Sequence, residues 1–299
     1  MTHGVTVREA SCKSALVKSG ITDYALNPYT GCAHDCVYCY ASFMSRFSHH
    51  DKPWGQWVDA KVNIAEALAK DLRRLCRQRS PGRPGHLEVV ISSVTDPYQP
   101  VEREYGLTRM SLEVIAATLG KGGQLPLGVG AVQMLAPTRS FRFSILTKSD
   151  LVVRDIDVLQ ETPDVDIGMT VTTVDDQVSR LYEPGASPAT RRLAALRQLS
   201  DAGLSTWAFL SPVLPYHSDS EEAIGSILGA IQDAGVRRVM VDRFNPYPAS
   251  VGRFLKVAPS PAAQALREYV ARPSDYLDRL RDAVREASLR VQLKVDVLF

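Results

Sequence analysis

The sequence predicts an α/β protein built on a parallel sheet. Three observations lead there. Strand-like and helix-like segments alternate six times along the chain, their spacing is too long for hairpins, and polar motifs recur just after the strand segments. Parallel neighbours need a long crossover, normally a helix, and that crossover is right-handed.

The elements follow in order. Residues up to about Ser19 read as a polar lead-in that contains Cys12, an ordinary thiol. Residues 24–26 end a first short strand that feeds a loop marked by Asn27-Pro28 and Gly31. Residues 42–59 are aromatic and polar, with Phe43, Phe47, Trp54, Trp57 and the pair His49-His50. They read as a surface or substrate-side loop, because the histidines have no acidic or cysteine neighbours at ligand spacing. From Asn63, an N-cap residue, Ile64, Leu68, Leu72 and Leu75 recur at helical spacing until Ser80-Pro81-Gly82, with Cys76 packing in the last turn.

A second strand covers 87–91 and a helix 108–119. Residues 120–140, rich in Gly and Pro around an apolar patch, read as an insertion. A third strand covers 141–146, a brief helix 155–160, and a fourth strand 165–171. Ser187-Pro188 opens a helix closed by Gly203, Pro at the start and Gly past the end being the expected punctuation. A fifth strand (206–210), a helix capped by Asp219 or Ser220 and ended by Gly235, and a sixth strand (239–241) follow. One or two C-terminal helices (261–271 and 274–288) and a last strand (291–297) complete the chain.

A length of 299 residues suits two average domains or one α/β barrel. With 45% hydrophobic and 23% charged residues the chain has material for a sizeable core, and a net charge of +2 implies no strong polyanion partner. Five cysteines, three of them clustered, fit a reducing compartment better than a disulfide framework. The first 13 residues lack the apolar core of a signal peptide, and no apolar run is long enough to span a bilayer, so a cytoplasmic protein with no membrane partner is expected.

The chemistry concentrates in Asn27-Pro28-Tyr29-Thr30-Gly31-Cys32-Ala33-His34-Asp35-Cys36-Val37-Tyr38-Cys39-Tyr40, where Cys32, Cys36 and Cys39 form a C-x3-C-x2-C pattern. Thiolates so closely spaced can converge on one soft-metal centre. A structural zinc site would want a fourth ligand from a second pair, and none follows. Three ligands without a fourth suggest a cluster that keeps one metal open. The alternatives are a zinc site completed by His34, or cysteines that merely pack.

This pattern, with an aromatic residue before the last cysteine, resembles the signature of the radical S-adenosylmethionine enzymes. The resemblance implies a partial (β/α)6 TIM-like barrel over 21–250, between a lead-in (1–20) and a C-terminal helical extension (251–299). It implies a 4Fe–4S cluster held by Cys32, Cys36 and Cys39, with S-adenosylmethionine on the fourth iron. It further implies an electron donor such as flavodoxin or ferredoxin, and a 5′-deoxyadenosyl radical that abstracts hydrogen from a substrate. Whether the substrate is a small molecule, a peptide or a nucleic acid is left open. The full wording, with Thr95-Asp96-Pro97-Tyr98-Gln99-Pro100 after the second strand and Thr147-Lys148-Ser149 after the third, resembles the spore photoproduct lyase-related group over residues 24–215.

By matched position, the resemblance implies that Tyr38 flanks the adenine and that Thr95, Lys148, Thr170 and Ser211 contact S-adenosylmethionine. Lys148 offers a cation for its carboxylate, and Thr170 a hydroxyl. Tyr38 and Tyr40 match the tyrosines of a radical relay. Ser93 stands where the group's hydrogen-returning cysteine stands, and a serine O–H is too strong a bond to return hydrogen as a thiol does. Repair of DNA photolesions by that mechanism is therefore an alternative that Ser93 counts against, and a non-catalytic zinc or Fe–S binding protein is another. The arginine pairs 73–74, 191–192 and 237–238 read as solvated faces rather than a nucleic-acid track. Asp242, Arg243 and Asn245 suit a small polar substrate or a local salt bridge, and Asp96 and Tyr98 a pocket or an Asp-Pro turn.

Overall fold

The computed structural model describes residues 4–47, 51–77, 86–120 and 140–299. The bulk of the expected insertion (121–139), the His49-His50 pair and the Ser80-Pro81-Gly82 stop lie outside the described residues. Two compact units emerge. One comprises Met1–Ala33, His50–Thr147 and Leu151–Ile167, the other His34–His49, Lys148–Asp150 and Gly168–Phe299.

The first unit opens with β1 (Thr6–Ala10), β2 (Leu16–Lys18), β3 (Tyr24–Leu26), β4 (Tyr29–Thr30), β5 (Trp57–Lys61) and α1 (Ile64–Arg77). It continues with β6 (Leu87–Ile91), α2 (Glu102–Tyr105), α3 (Leu107–Leu119), β7 (Phe141–Thr147), α4 (Ile156–Glu161) and the start of β8 (Val165–Thr170). A small sheet runs β1–β5–β4, with β1 parallel to β5 and β4 antiparallel to it. The larger one runs β2–β3–β6–β7–β8. In it β3 pairs parallel with β6 (Tyr24 opposite Val89) and β6 parallel with β7 (Leu87 opposite Phe141). Leu87, Val89 and Ile91 alternate inward on β6, as do Phe141, Phe143 and Ile145 on β7. The helical stripe of α1 (Ile64, Leu68, Leu72 and Leu75) is buried.

The second unit takes the end of β8 and continues through α5 (Asp176–Tyr182), α6 (Ala189–Asp201), β9 (Ser205–Val213), α7 (Glu221–Asp233) and β10 (Arg238–Arg243). It closes with α8 (Pro248–Val257), α9 (Ser260–Ala271), α10 (Pro273–Ser288) and β11 (Lys294–Val297). Its strands run β8–β9–β10–β11, with β10 parallel to β9 and to β11. Ser220 caps α7 by accepting the Ala223 N–H. Among the described residues no helix is long and apolar enough to cross a membrane.

The mixed α/β architecture with parallel pairing is therefore present, and several local expectations need correction. The lead-in contains β1 and β2. The expected surface or substrate-side loop over 42–59 contains the start of β5, and both Trp54 and Trp57 are buried, packed edge to face at 5.9 Å. The partners of β5 are β1, some fifty positions away, and β4, about thirty away, so no local pattern announces the strand. The Asn63 side chain spans the backbone of Cys12, accepting its N–H at 2.9 Å and donating to its carbonyl at 3.0 Å. Helices α5 and α8 had no counterpart in the sequence reading. Ser211 lies inside β9 rather than after it.

Candidate functional site

In the first unit the approach to Cys32 is clamped by one strand end. Gly31 has φ +82°, and a side chain there would run into the Trp57 carbonyl and ring, so only glycine lets the loop pass. Its carbonyl accepts from Thr95 Oγ1 at 2.5 Å and from Gln99 Nε2 at 3.2 Å, while Gln99 Oε1 accepts the Ala33 N–H at 2.8 Å. Thr95 and Gln99 thus grip the residues on both sides of buried Cys32. The Tyr29 phenol donates to the buried carboxylate of Glu102. Ser93, two residues past β6, donates its N–H to Asn27 Oδ1 at 3.0 Å. Asp96 Oδ1 accepts the Tyr98 N–H at 2.9 Å, as an Asp-Pro turn would have it, and the Thr147 hydroxyl at 2.7 Å.

In the second unit Cys36 and Cys39 are separated by one tight turn, the Cys39 N–H donating to the Cys36 carbonyl at 3.1 Å. The turn is tethered from several sides. Val37 donates to the Tyr182 carbonyl at 2.9 Å, and the His34 carbonyl accepts from Gly185 at 3.0 Å. Arg253 of α8 pairs with Asp35, and Ser250 donates to the Tyr38 carbonyl at 3.3 Å. Cys36 is buried, and burial pushes its thiol up to about 12 despite the opposing charge of Lys148. The Lys148 ammonium lies 5.6 Å from the centre of the Tyr38 ring.

Behind this group lies a buried ion pair. Glu183 and Arg192 are 0% and 1% exposed, and Arg192 Nη2 donates to Glu183 Oε2. The same carboxylate accepts from the Tyr38 phenol and, at 3.2 Å, from the Thr172 hydroxyl. Burial alone would raise the Glu183 carboxyl, yet Arg192 and Lys148 hold it below its ordinary value. Burial also raises the Tyr38 phenol well above its usual range, and the Glu183 charge adds to that. Arg192 Nη1 donates to the Thr170 carbonyl at 3.1 Å. Arg192 is therefore no solvated face, contrary to the sequence expectation, because α6 turns it inward to meet Glu183.

Of the sequence-derived candidates, Cys36, Tyr38, Lys148 and Thr170 are gathered around this pair, while Ser211 is half-buried within β9, outside the network. Tyr40 is half exposed and lines a cleft of about 660 Å³ with Phe43, Arg46 and Tyr247. Arg243 donates its N–H to Asp242 and its guanidinium to Tyr269 at 3.3 Å, so local packing engages that motif. The sequence reading missed Gln99, Thr172 and Glu183 as site residues. Glu183 carries no local signal, being one acid before a Pro-Gly turn.

Among the described residues no three His, Cys, Asp or Glu side chains converge as they would to hold a single metal ion. Burial disfavours the Cys36 thiolate, and the Lys148 charge beside it would offset the negative charge of a thiolate formed on metal binding.

The radical SAM superfamily profile matches residues 26–226. An uncharacterized protein of Methanocaldococcus jannaschii is 31% identical over 202 residues, covering 68% of this chain and 64% of that protein, so the chain spans just under two thirds of that relative. An uncharacterized protein of Mycobacterium tuberculosis is 29% identical over 314 residues, covering 98% and 83%. Among solved structures, a spore photoproduct lyase mutant with bound S-adenosylmethionine and dinucleoside spore photoproduct aligns with a TM-score of 0.66 at 14% identity, covering 98% and 82%.

Proposed function

The chain belongs to the radical SAM superfamily, and from that premise we propose that it is an enzyme that abstracts hydrogen from a substrate by means of a 5′-deoxyadenosyl radical. Cys32, Cys36 and Cys39 would hold a 4Fe–4S cluster. When bound and reduced, that cluster supplies the electron that cleaves S-adenosylmethionine. The observation that carries the reading is the three-cysteine motif inside a family match, with the buried Cys36 thiol close to Lys148 and Tyr38. We read β3, β6, β7, β8, β9 and β10 as the strands of the partial (β/α)6 barrel.

The chain's own residues have separable tasks in this reading. Lys148 meets the methionine carboxylate of S-adenosylmethionine, and Tyr38 flanks its adenine. Thr170 and Ser211 offer polar contacts. The Thr95 hydroxyl is engaged by the Gly31 carbonyl, so Thr95 acts by holding the loop around Cys32. Tyr40, in its aromatic cleft, stands on the substrate side. An electron donor such as flavodoxin or ferredoxin would reduce the cluster.

A second reading, repair of a thymine photodimer, takes support from the dinucleoside lesion bound in the similar lyase structure, and Ser93 in place of a thiol counts against it. A non-catalytic zinc or Fe–S binding protein is the third. The test is anaerobic reconstitution with iron and sulfide, reduction by dithionite with S-adenosylmethionine, and assay of 5′-deoxyadenosine. Product that vanishes on changing Cys32, Cys36 or Cys39 to Ala supports the enzyme. One zinc per chain, no sulfide and no cleavage would sink it.

A further inference from the structure

The buried pair Glu183–Arg192 is weak evidence for stability by itself. Taking two charges out of water offsets most of their attraction, and an apolar pair of similar volume often serves as well. What the pair touches is more informative. Glu183 receives the Tyr38 phenol from the cysteine loop and the Thr172 hydroxyl from beyond β8. Arg192 reaches the Thr170 carbonyl at 3.1 Å through Nη1 and the Ser187 carbonyl at 2.6 Å through Nε. Ser187 in turn donates its N–H to the Lys148 carbonyl at 3.1 Å and its hydroxyl to Asp150 at 2.5 Å. The cysteine loop, the Lys148 turn and the end of β8, far apart in sequence, are thus referenced to one ion pair.

We propose that Glu183 and Arg192 are positioning residues for S-adenosylmethionine, holding Tyr38, Lys148 and Thr170 in the arrangement that receives it without touching it themselves. The inference rests on the radical S-adenosylmethionine reading above. A carboxylate acceptor fixes the direction in which the Tyr38 phenol donates, and so the plane of its ring. The planar guanidinium serves a carboxylate and two carbonyls at once, a geometry that the single ammonium of lysine does not reproduce. Partners one step removed from metal ligands commonly contribute about 10- to 100-fold to metal affinity or activity, and the same scale is expected for the cofactor here.

The experiment measures S-adenosylmethionine affinity by equilibrium dialysis on the full chain, reconstituted anaerobically, together with iron content and thermal midpoint. The double variant Glu183→Gln with Arg192→Met removes both charges and leaves neither buried alone. It is expected to retain iron and midpoint while binding S-adenosylmethionine about tenfold or more weakly. Arg192→Lys, which keeps the charge and loses the fork, is expected to weaken binding likewise. Tyr38→Phe combined with Glu183→Gln should lose no more than the larger single loss, because the Tyr38 phenol acts through its bond to Glu183, which the second change already alters. Parental affinity in the double variant, or losses that simply add, overturns the proposal. A parent protein that holds iron yet binds no S-adenosylmethionine overturns the underlying reading and this proposal with it. A parent that binds, beside a double variant that binds equally well, removes only the positioning role.

Discussion

Cys36 and Ser93 show how single side chains set the chemistry available here. Cys36 is a buried thiol among charges, with Lys148 drawing its proton off and Glu183 and Cys39 opposing that. Such a thiol is inert as a free nucleophile and becomes a ligand only when a metal replaces its proton. Ser93 carries the opposite lesson. Its backbone N–H donates to Asn27 Oδ1 at 3.0 Å, a bond that a cysteine would keep. In a chromatographic assay the parent should leave a dinucleoside spore photoproduct unreverted, because no thiol stands at this position. Two thymidines formed from it by the parent would restore the repair reading.

Two contacts between elements lend themselves to measurement. Gly168 of β8 lies under the Trp207 ring of β9, and a Cβ built there would overlap the indole. Gly168→Ala should cost about 1–3 kcal/mol by overpacking, read as a lower urea midpoint. An unchanged midpoint would mean that Trp207 can swing clear. In the first unit Asp71 of α1 accepts from the Ser14 hydroxyl at 2.6 Å and from the Ala15 and Leu16 N–H groups at 2.8 and 3.1 Å, tying the start of β2 to the helix. Burial would raise its carboxyl, but these donors and Arg74 outweigh burial and hold it below the ordinary 3.8. A carboxyl depressed on folding stabilises fully above its unfolded value, and that contribution is lost as pH falls through the folded one. Asp71→Asn should therefore be less stable than the parent by about 1–3 kcal/mol at neutral pH. The gap between the two should close on acidification below 3.8. Curves that stay parallel to the acid limit would contradict the linkage.

For the molecule as a whole the decisive observable is ligand-linked stability. A ligand that binds only the folded protein adds about 2.7 kcal/mol at a hundredfold excess over its dissociation constant. The reconstituted chain should thus melt several degrees higher with excess S-adenosylmethionine, and S-adenosylhomocysteine gives the comparison for the sulfonium. No shift with either ligand would count against the proposed function. The molecule was partly legible in advance. The strand–helix alternation and the cysteine motif were readable because each is local, a period of side chains or a spacing within one loop. The Thr-Asp-Pro-Tyr-Gln-Pro stretch was visible too, though not that its Gln99 would grip the cysteine loop.

What the sequence by itself determined is the α/β class and the family, the latter because Cys32, Cys36 and Cys39 carry their meaning in their spacing. Only the tertiary structure decided that β5 pairs with β1 and β4, and that Arg192 is buried rather than solvated. It alone shows that Glu183, 145 positions beyond Tyr38, receives its phenol. The physical reason is common to all three. A strand's partner and a buried charge's counterion are chosen by packing between distant segments, and such a choice leaves no periodicity or spacing in either one.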